Sequence, residues 1–313
     1  MALNTKTRGA VAGWLFLMPN LLGFLLFTSV PVLASLVLSF YKWDLFTPAR
    51  FVGLQNFVRL LGFHAGRPND PEFWSACFNT VFLMLMIPVN MLASLFLALV
   101  MNQKLRGIVA FRTMFFLPTI VAGVGTYLLW KWMFNPDYGM INSFLVHGLP
   151  GPLNAALRRL LGQWPPHWLQ SIGWAKPALM LMGFWVSAGG SNMVLYLAAL
   201  QNVPPDLYEA AQIDGAGRWR KFLHITWPMV GPTTFFIFTM SLIGGFQGGF
   251  EQAMVMTGGG PAGATTTVGY YIYNHAFQWN HMGYAAAIAW VLFAAIFTAT
   301  LLQWRWAGRA AHF

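Results

Sequence analysis

Glu209-Ala-Ala-Gln-Ile-Asp-Gly-Ala-Gly-Arg-Trp-Arg-Lys-Phe-Leu-His-Ile-Thr-Trp-Pro228 is a segment rich in charges of both signs, wedged between two apolar runs in a chain that otherwise uses charge sparingly. Only 8% of the 313 residues are charged and 57% are hydrophobic, against roughly 25% charged in an ordinary globular domain. The runs on either side of the segment are therefore read as membrane spans, and the segment as an aqueous loop. Crossing a hydrocarbon core of about 30 Å takes about 20 mostly apolar residues. Gaps in the charge pattern locate such stretches between Arg8 and Lys42, Glu72 and Lys104, Arg112 and Lys131, Lys176 and Asp206, Lys221 and Glu251, and Glu251 and Arg305.

One span in each gap gives Trp14 to Phe40, Thr80 to Leu99, Phe115 to Phe134, Leu179 to Leu200, Met229 to Gly249, and Tyr284 to Gln303. In lipid, only helices or closed barrels satisfy every backbone polar group, and no strict two-residue alternation runs through these stretches, so they are helices. The fold class is all-α: a six-helix polytopic membrane protein, 1–313 as one domain, with 201–227 as a loop within it. An even number of spans puts both termini on one side. Lys6 and Arg8 before the first helix, Lys104, Arg106 and Arg112 in a short loop, and Arg305 and Arg309 after the last helix place that side in the cytoplasm. The 201–227 loop is then cytoplasmic too.

The net charge of +10 does not argue for nucleic acid, because much of it is accounted for by membrane orientation. A single cysteine, Cys77, excludes an internal disulfide. The histidines lack metal-ligand spacing: His275 and His281 are six residues apart with no carboxylate between them. The first apolar run is too long for the core of a secretion signal and reads as an uncleaved helix. Two external segments have structure of their own. Phe51 to Leu61 suits a short surface helix, and Leu153, Ala156, Leu157, Leu160 and Leu161 form a stripe that leaves Arg158 and Arg159 to one side.

Within the loop, Pro204 and Pro205 suit a first helical turn, where a missing N–H costs nothing, and Asp206 and Glu209 favour the positive end of the helix dipole. Gly215 and Gly217 end that helix, and Arg218 to Ile225 resumes as a second one with Trp219 and Phe222 on one face. A solvated connector would also tolerate this composition.

At these residues the sequence resembles a known family. Glu209-Ala210-Ala211, Asp214-Gly215-Ala216, and then Phe222, Ile225 and Pro228 are similar to the Glu-Ala-Ala loop of permease subunits of binding-protein-dependent ABC importers. The carbohydrate-uptake branch, maltose-like and glycerol-3-phosphate-like, fits best. The stretches Phe51-Val-Gly-Leu-Gln-Asn-Phe57, Phe111-Arg-Thr-Met-Phe-Phe-Leu-Pro118, Trp130 with Gly139 and Asn142, and Thr257-Gly-Gly-Gly-Pro261 with Tyr271-Ile-Tyr273 agree with it. The resemblance implies a type I importer permease in a bacterial or archaeal inner membrane, with two ATPase subunits, a second homologous permease and an external solute-binding protein as partners. Glu209, Ala210, Ala211, Asp214, Gly215 and Ala216 would form a coupling helix seated on an ATPase. It also implies no cofactor on this chain, with ATP and magnesium on the partners. Consistent with that, the chain has no Gly-x-x-x-x-Gly-Lys-Ser/Thr phosphate loop, and Gly258-Gly-Gly-Pro-Ala-Gly263 lacks the lysine.

By the same resemblance, substrate is met on the helices flanking the loop, at Trp185, Ser187, Ser191, Asn192, Phe246 and Gln247. Ser and Asn there can bind hydroxyls, with Trp185 and Phe246 as apolar platforms; small and polar residues also serve helix packing, as Gly244, Gly245, Gly248 and Gly249 do. Two other classes are weighed against this. An ion-driven carrier needs ionisable groups at mid-membrane, and Glu251 lies at a span's external end. A membrane transferase needs clustered acids or a His-Asp pair, which Asp44, Asp70, Glu72 and Asp137 do not supply.

Overall fold

A computed structural model of the chain describes residues 5–103, 106–121 and 123–307. Lys104 and Arg309, two of the cations on which the orientation rests, lie outside the described residues. Four helices are each long and apolar enough to cross a membrane: Ala12–Leu38, Pro71–Met101, Ile172–Gln201 and Met282–Arg305. Two bent pairs meet the same criterion, Ile108–Ile120 with Val124–Met133 and Arg218–Met229 with Gly231–Gln247. With each pair taken as one span, the described residues supply the six expected.

The boundaries differ from the charge-gap reading in an informative way. The third run is two helices, Ile108–Ile120 and Val124–Met133, rather than one, and it carries Pro118 inside its first helix. The fifth begins at Arg218, well before Met229, and bends by 61° where Gly231 and Pro232 follow Val230. Within the fourth, Gly189 and Gly190 interrupt the helix between Ala188 and Ser191. A Cβ on Gly189 would overlap the Phe115 carbonyl oxygen, and one on Gly190 would lie 2.5 Å from Thr119 Oγ1. The break thus lets another helix approach to backbone contact.

The chain divides into two compact units. The first comprises residues 1–70 and 272–293. Its opening span has no buried residue between Leu25 and Leu38, and side chains such as Phe16 and Phe27 are more than 80% exposed, as a lipid-facing helix requires. After that span come an antiparallel ribbon pairing Tyr41–Lys42 with Arg50–Phe51, the helix Gln55–Leu61, and a second ribbon pairing Phe63–His64 with Arg67–Pro68. Asn56 Nδ2 donates to the carbonyls of Ser39 and Tyr41 at 2.8 and 3.0 Å, fixing the helix against the end of the span. The last helix begins here, with Met282 N donating to Trp43 O at 3.0 Å and Trp290 Nε1 to Ser35 Oγ at 3.2 Å.

The second unit comprises residues 71–271 and 294–313. One core packs Met91, Leu95, Ala98 and Met101 of the long helix Pro71–Met101 against Met193, Tyr196, Leu197 and Leu200, with Val230 and Ile237. Burying each such side chain stabilises by about 1.5–3 kcal/mol in water, and within lipid the gain comes from close packing instead. A second core gathers Trp130, Phe134, Trp168, Leu179, Met182 and Met256. Above it, Asn142 Nδ2 donates to the carbonyls of Pro136 and Pro166, while its Oδ1 accepts from Trp168 Nε1 at 2.8 Å. The connecting segment holds helices Met140–His147 and Gly151–Leu161, the latter with no buried residue.

Candidate functional site

Two features of the second unit are candidates for a functional site, a surface made by the charged loop and a cavity among the helices that flank it. The loop helix runs Pro205–Ile213, with proline at its first position and Asp206 in the first turn. Spacing by three and four residues puts Asp206, Glu209, Ala210 and Ile213 on one face, and all four are exposed, Ile213 at 87%. Tyr208 and Ala211 are half-buried on the other side.

The helix ends in a Schellman motif. Gly215 has φ +72°, its N–H donates to Gln212 O at 3.1 Å, and Ala216 N donates to Ala211 O at 2.8 Å. These are the two bonds that define the motif, and the left-handed residue between them favours glycine. Asp214 sits at the cap and is exposed, and Ala216 is half-buried just beyond. All six residues expected to couple the loop to a partner therefore lie on one exposed helix and its closing turn.

The turn passes the chain to the helical leg Arg218–Met229. Trp219 stacks on Phe222 with ring centroids 5.6 Å apart and an interplanar angle of 23°; Trp219 is 70% exposed, whereas Phe222 packs against the first core. Tyr208 and the buried Thr226 share a hydroxyl hydrogen bond of 2.9 Å, and Lys221 Nζ donates to Gln212 Oε1 at 3.2 Å. The loop helix is thus tied by side chains to the leg that leads into the span Gly231–Gln247.

The cavity, of about 220 Å³, is lined by polar groups from three helices: Thr80 and Asn90, Ser187, and Gln252. Gly244, Gly245, Gly248 and Gly249 form a bare backbone wall on one side. Thr80 Oγ1 donates to Ala76 O and accepts from Val268 N, and Gln252 Nε2 donates to Leu179 O at 2.9 Å. Asn90 Oδ1 is buried with no hydrogen-bond partner. A buried unpaired carbonyl costs about 1–3 kcal/mol, so this one has a free acceptor site facing the cavity it lines.

Of the six side chains expected at the substrate, Ser187 lines this cavity. Trp185 is 43% exposed, edge-on to Trp130 with centroids 5.7 Å apart. Ser191 and Asn192 begin the helix beyond the glycine break, the first exposed and the second half-buried. Phe246 is half-buried, and Gln247, the last residue of its helix, is exposed. None of these five is among the lining residues. Asn90 and Gln252 were not singled out from the sequence; the signal available was an amide inside, or at the edge of, an apolar run. His275 and His281 do come together, with Nδ1 atoms 3.3 Å apart, but among the described residues no set of three His, Cys, Asp or Glu side chains gathers to hold a metal.

A family model described as the inner membrane component of binding-protein-dependent transport systems matches residues 60–305, taking in both the loop and the cavity. The chain belongs to that family. The family is one of transport components rather than catalysts, and its members lie in the inner membrane. This permease is 37% identical over 298 residues to the lactose transport system permease protein LacF of Rhizobium radiobacter, covering 94% of this chain and 93% of that one. It is 33% identical over 307 residues to the probable ABC transporter permease protein YesP of Bacillus subtilis, covering 97% and 92%. It is also 33% identical over 267 residues to the sn-glycerol-3-phosphate transport system permease protein UgpA of Yersinia pestis, covering 85% and 83%. A chain of the bacterial alginate ABC transporter, solved with a pentasaccharide-bound periplasmic protein, superposes with a TM-score of 0.79 at 23% identity, covering 99% of this chain and 98% of that one. This likeness establishes the type I importer permease fold.

Proposed function

We propose that the permease forms half of the translocation pathway of an ATP-driven importer for a sugar, an oligosaccharide, or a related polyol or glycerophosphate. The substrate class is supported by what the relatives' names state, lactose for LacF, sn-glycerol-3-phosphate for UgpA, and arabinooligosaccharides for the AraP protein of Bacillus subtilis. It is supported also by the cavity, whose Asn90, Ser187 and Gln252 suit hydroxyl groups. A second, homologous permease completes the pathway, two ATPase subunits bind ATP and magnesium, and an external binding protein delivers the substrate. This chain binds no cofactor of its own. Both termini and the 201–227 loop face the cytoplasm.

The observation that carries this reading is the tied, exposed helix Pro205–Ile213. A cavity open to one side or the other is a two-state system, and nucleotide binding elsewhere can bias it only through contacts that differ between the states. Glu209, Asp214 and Ile213 offer those contacts, and the Tyr208 to Thr226 bond with Phe222 in the core passes the displacement to a span that walls the cavity. Gly244 and Gly245 thus belong both to the span that the leg feeds and to the wall of the cavity.

The test is reconstitution with the genome-neighbouring ATPase, partner permease and binding protein in liposomes, with sugar uptake followed with and without internal ATP. Glu209→Ala should lose most ATP-dependent uptake and ATPase co-purification while the chain still inserts. Uptake that runs on a proton gradient and ignores ATP would refute the proposal.

A further inference from the structure

The first unit holds a second cavity, of about 530 Å³, walled by the ribbon Tyr41–Lys42/Arg50–Phe51, the helix Gln55–Leu61 and the start of the last span. Lys42, Arg50, Arg59 and His281 line it. Lys42 and Arg50 are direct partners across the antiparallel ribbon, an arrangement of like charges that destabilises a strand pair unless an anion sits between them. Asp44 is the one carboxylate in the lining. Its Oδ1 already accepts from Thr47 N and Thr47 Oγ1, both at 2.8 Å, and from Phe46 N at 3.2 Å. These bonds, the Thr47 N–H foremost, hold its carboxyl below the usual range. It stays ionised and its charge reaches His281, so it offsets one of the three cations Lys42, Arg50 and Arg59 and leaves the lining net positive.

Arg59 is set by its guanidinium carbon lying 4.6 Å from the Tyr284 ring centroid, and the Tyr284 hydroxyl in turn donates to the buried Asp70. The positive field is felt by His281, whose pKa is lowered first by burial and then by Arg59 and Lys42. Guanidinium forks and ammonium groups converging on one space match a phosphate.

The depth of the cavity identifies the source of that phosphate. The first span ends at Leu38, four residues before Lys42, and the last begins at Met282, between His281 and Tyr284. Such residues lie where a bilayer's headgroups lie. Phe46, Phe51 and Leu54, neighbours of the lining residues in sequence, are 82, 71 and 63% exposed. A free phosphate cannot cover those exposed apolar side chains of the same segment, whereas the acyl chains of an amphiphile can. We propose that this cavity seats the phosphate of an anionic phospholipid headgroup, with Lys42, Arg50 and Arg59 as its cations.

The test uses the purified full-length chain in detergent, with thermal midpoints measured while dioleoylphosphatidylglycerol, dioleoylphosphatidylcholine or inorganic phosphate is titrated in. Phosphatidylglycerol should raise the midpoint and phosphatidylcholine should not. At about fivefold per cation, Lys42→Gln with Arg50→Gln should weaken the response roughly 25-fold. Arg67→Gln, which removes a cation outside the cavity lining, should leave the response unchanged. If the double variant does not fold, Arg50→Gln against Arg50→Lys makes the same comparison, with only the first weakened. The inference is overturned if the double variant responds like the unaltered chain, if phosphatidylcholine acts equally, or if inorganic phosphate alone produces the full shift.

Discussion

Gly215→Ala isolates the turn on which the proposed coupling depends. With φ at +72°, an alanine there meets the Cβ-to-carbonyl repulsion of the left-handed region, about 1–2 kcal/mol. Nothing lies within 4 Å of a Cβ built on Gly215, so no packing clash adds to that figure. The strain is relieved by unwinding the last turn of Pro205–Ile213, which breaks the bonds from Ala216 N to Ala211 O and from Gly215 N to Gln212 O. Ile213 and Asp214 then leave the exposed positions from which the proposed coupling has them meet an ATPase. One to two kcal/mol shifts a two-state balance by roughly 5- to 30-fold, and ATP-dependent uptake in vesicles should fall within that range. Gly215→Asn, which tolerates the left-handed region better, should lose less. The internal control is Gly217→Ser. Gly217 has φ −68° and ψ 168° and begins the helix Arg218–Lys221, a conformation any residue adopts and a position serine favours. Should Gly215→Ala transport normally, or Gly217→Ser be impaired as severely, the turn is not what transmits motion.

Other outcomes follow from the cavity and the histidine pair. Asn90→Leu removes an unpartnered buried carbonyl, so the thermal midpoint should hold or rise, while the apparent KM for the imported sugar should increase about 10-fold for the lost charge-neutral hydrogen bond. Gly245→Leu places a Cβ 2.9 Å from Met84 Cγ and 3.1 Å from Ile87 Cδ1; overpacking should cost about 1–3 kcal/mol, with uptake abolished and co-purification of the ATPase retained. Burial, helped by His281 and Arg59 and opposed by Asp70, pushes the pKa of His275 down to about 4. Because the unfolded state takes up the proton near pH 6.5 and the folded state only near 4, stability present above pH 6.5 drains away as pH falls toward 4, by about 3 kcal/mol at most. Midpoints measured across that window should flatten in His275→Gln.

What could be read from the chain and what could not divides along the range of the interactions involved. The loop helix was legible because its signals are local: a proline pair, early acids, and a glycine that only a left-handed cap explains. Span positions were legible too, since Ala12–Leu38 and Met282–Arg305 begin and end within two residues of the expected Trp14 to Phe40 and Tyr284 to Gln303. Charge gaps mark where lipid begins, however, and not where a helix does. Arg218, Arg220 and Lys221 were placed outside the fifth span, yet they open the helical leg that feeds it at 61°, and Gly231-Pro232 was the unused sign of the bend. The cavity was the least legible part. Asn90, Ser187 and Gln252 are far apart in sequence and meet only because the helix carrying Met91 and Leu95 packs on the one carrying Met193 and Leu197. No periodicity in a single run reports such a meeting. An amide within an apolar stretch does report a polar group whose partner must come from elsewhere, and Asn90 Oδ1, buried without one among the described residues, is the group at which the proposed function puts a substrate hydroxyl.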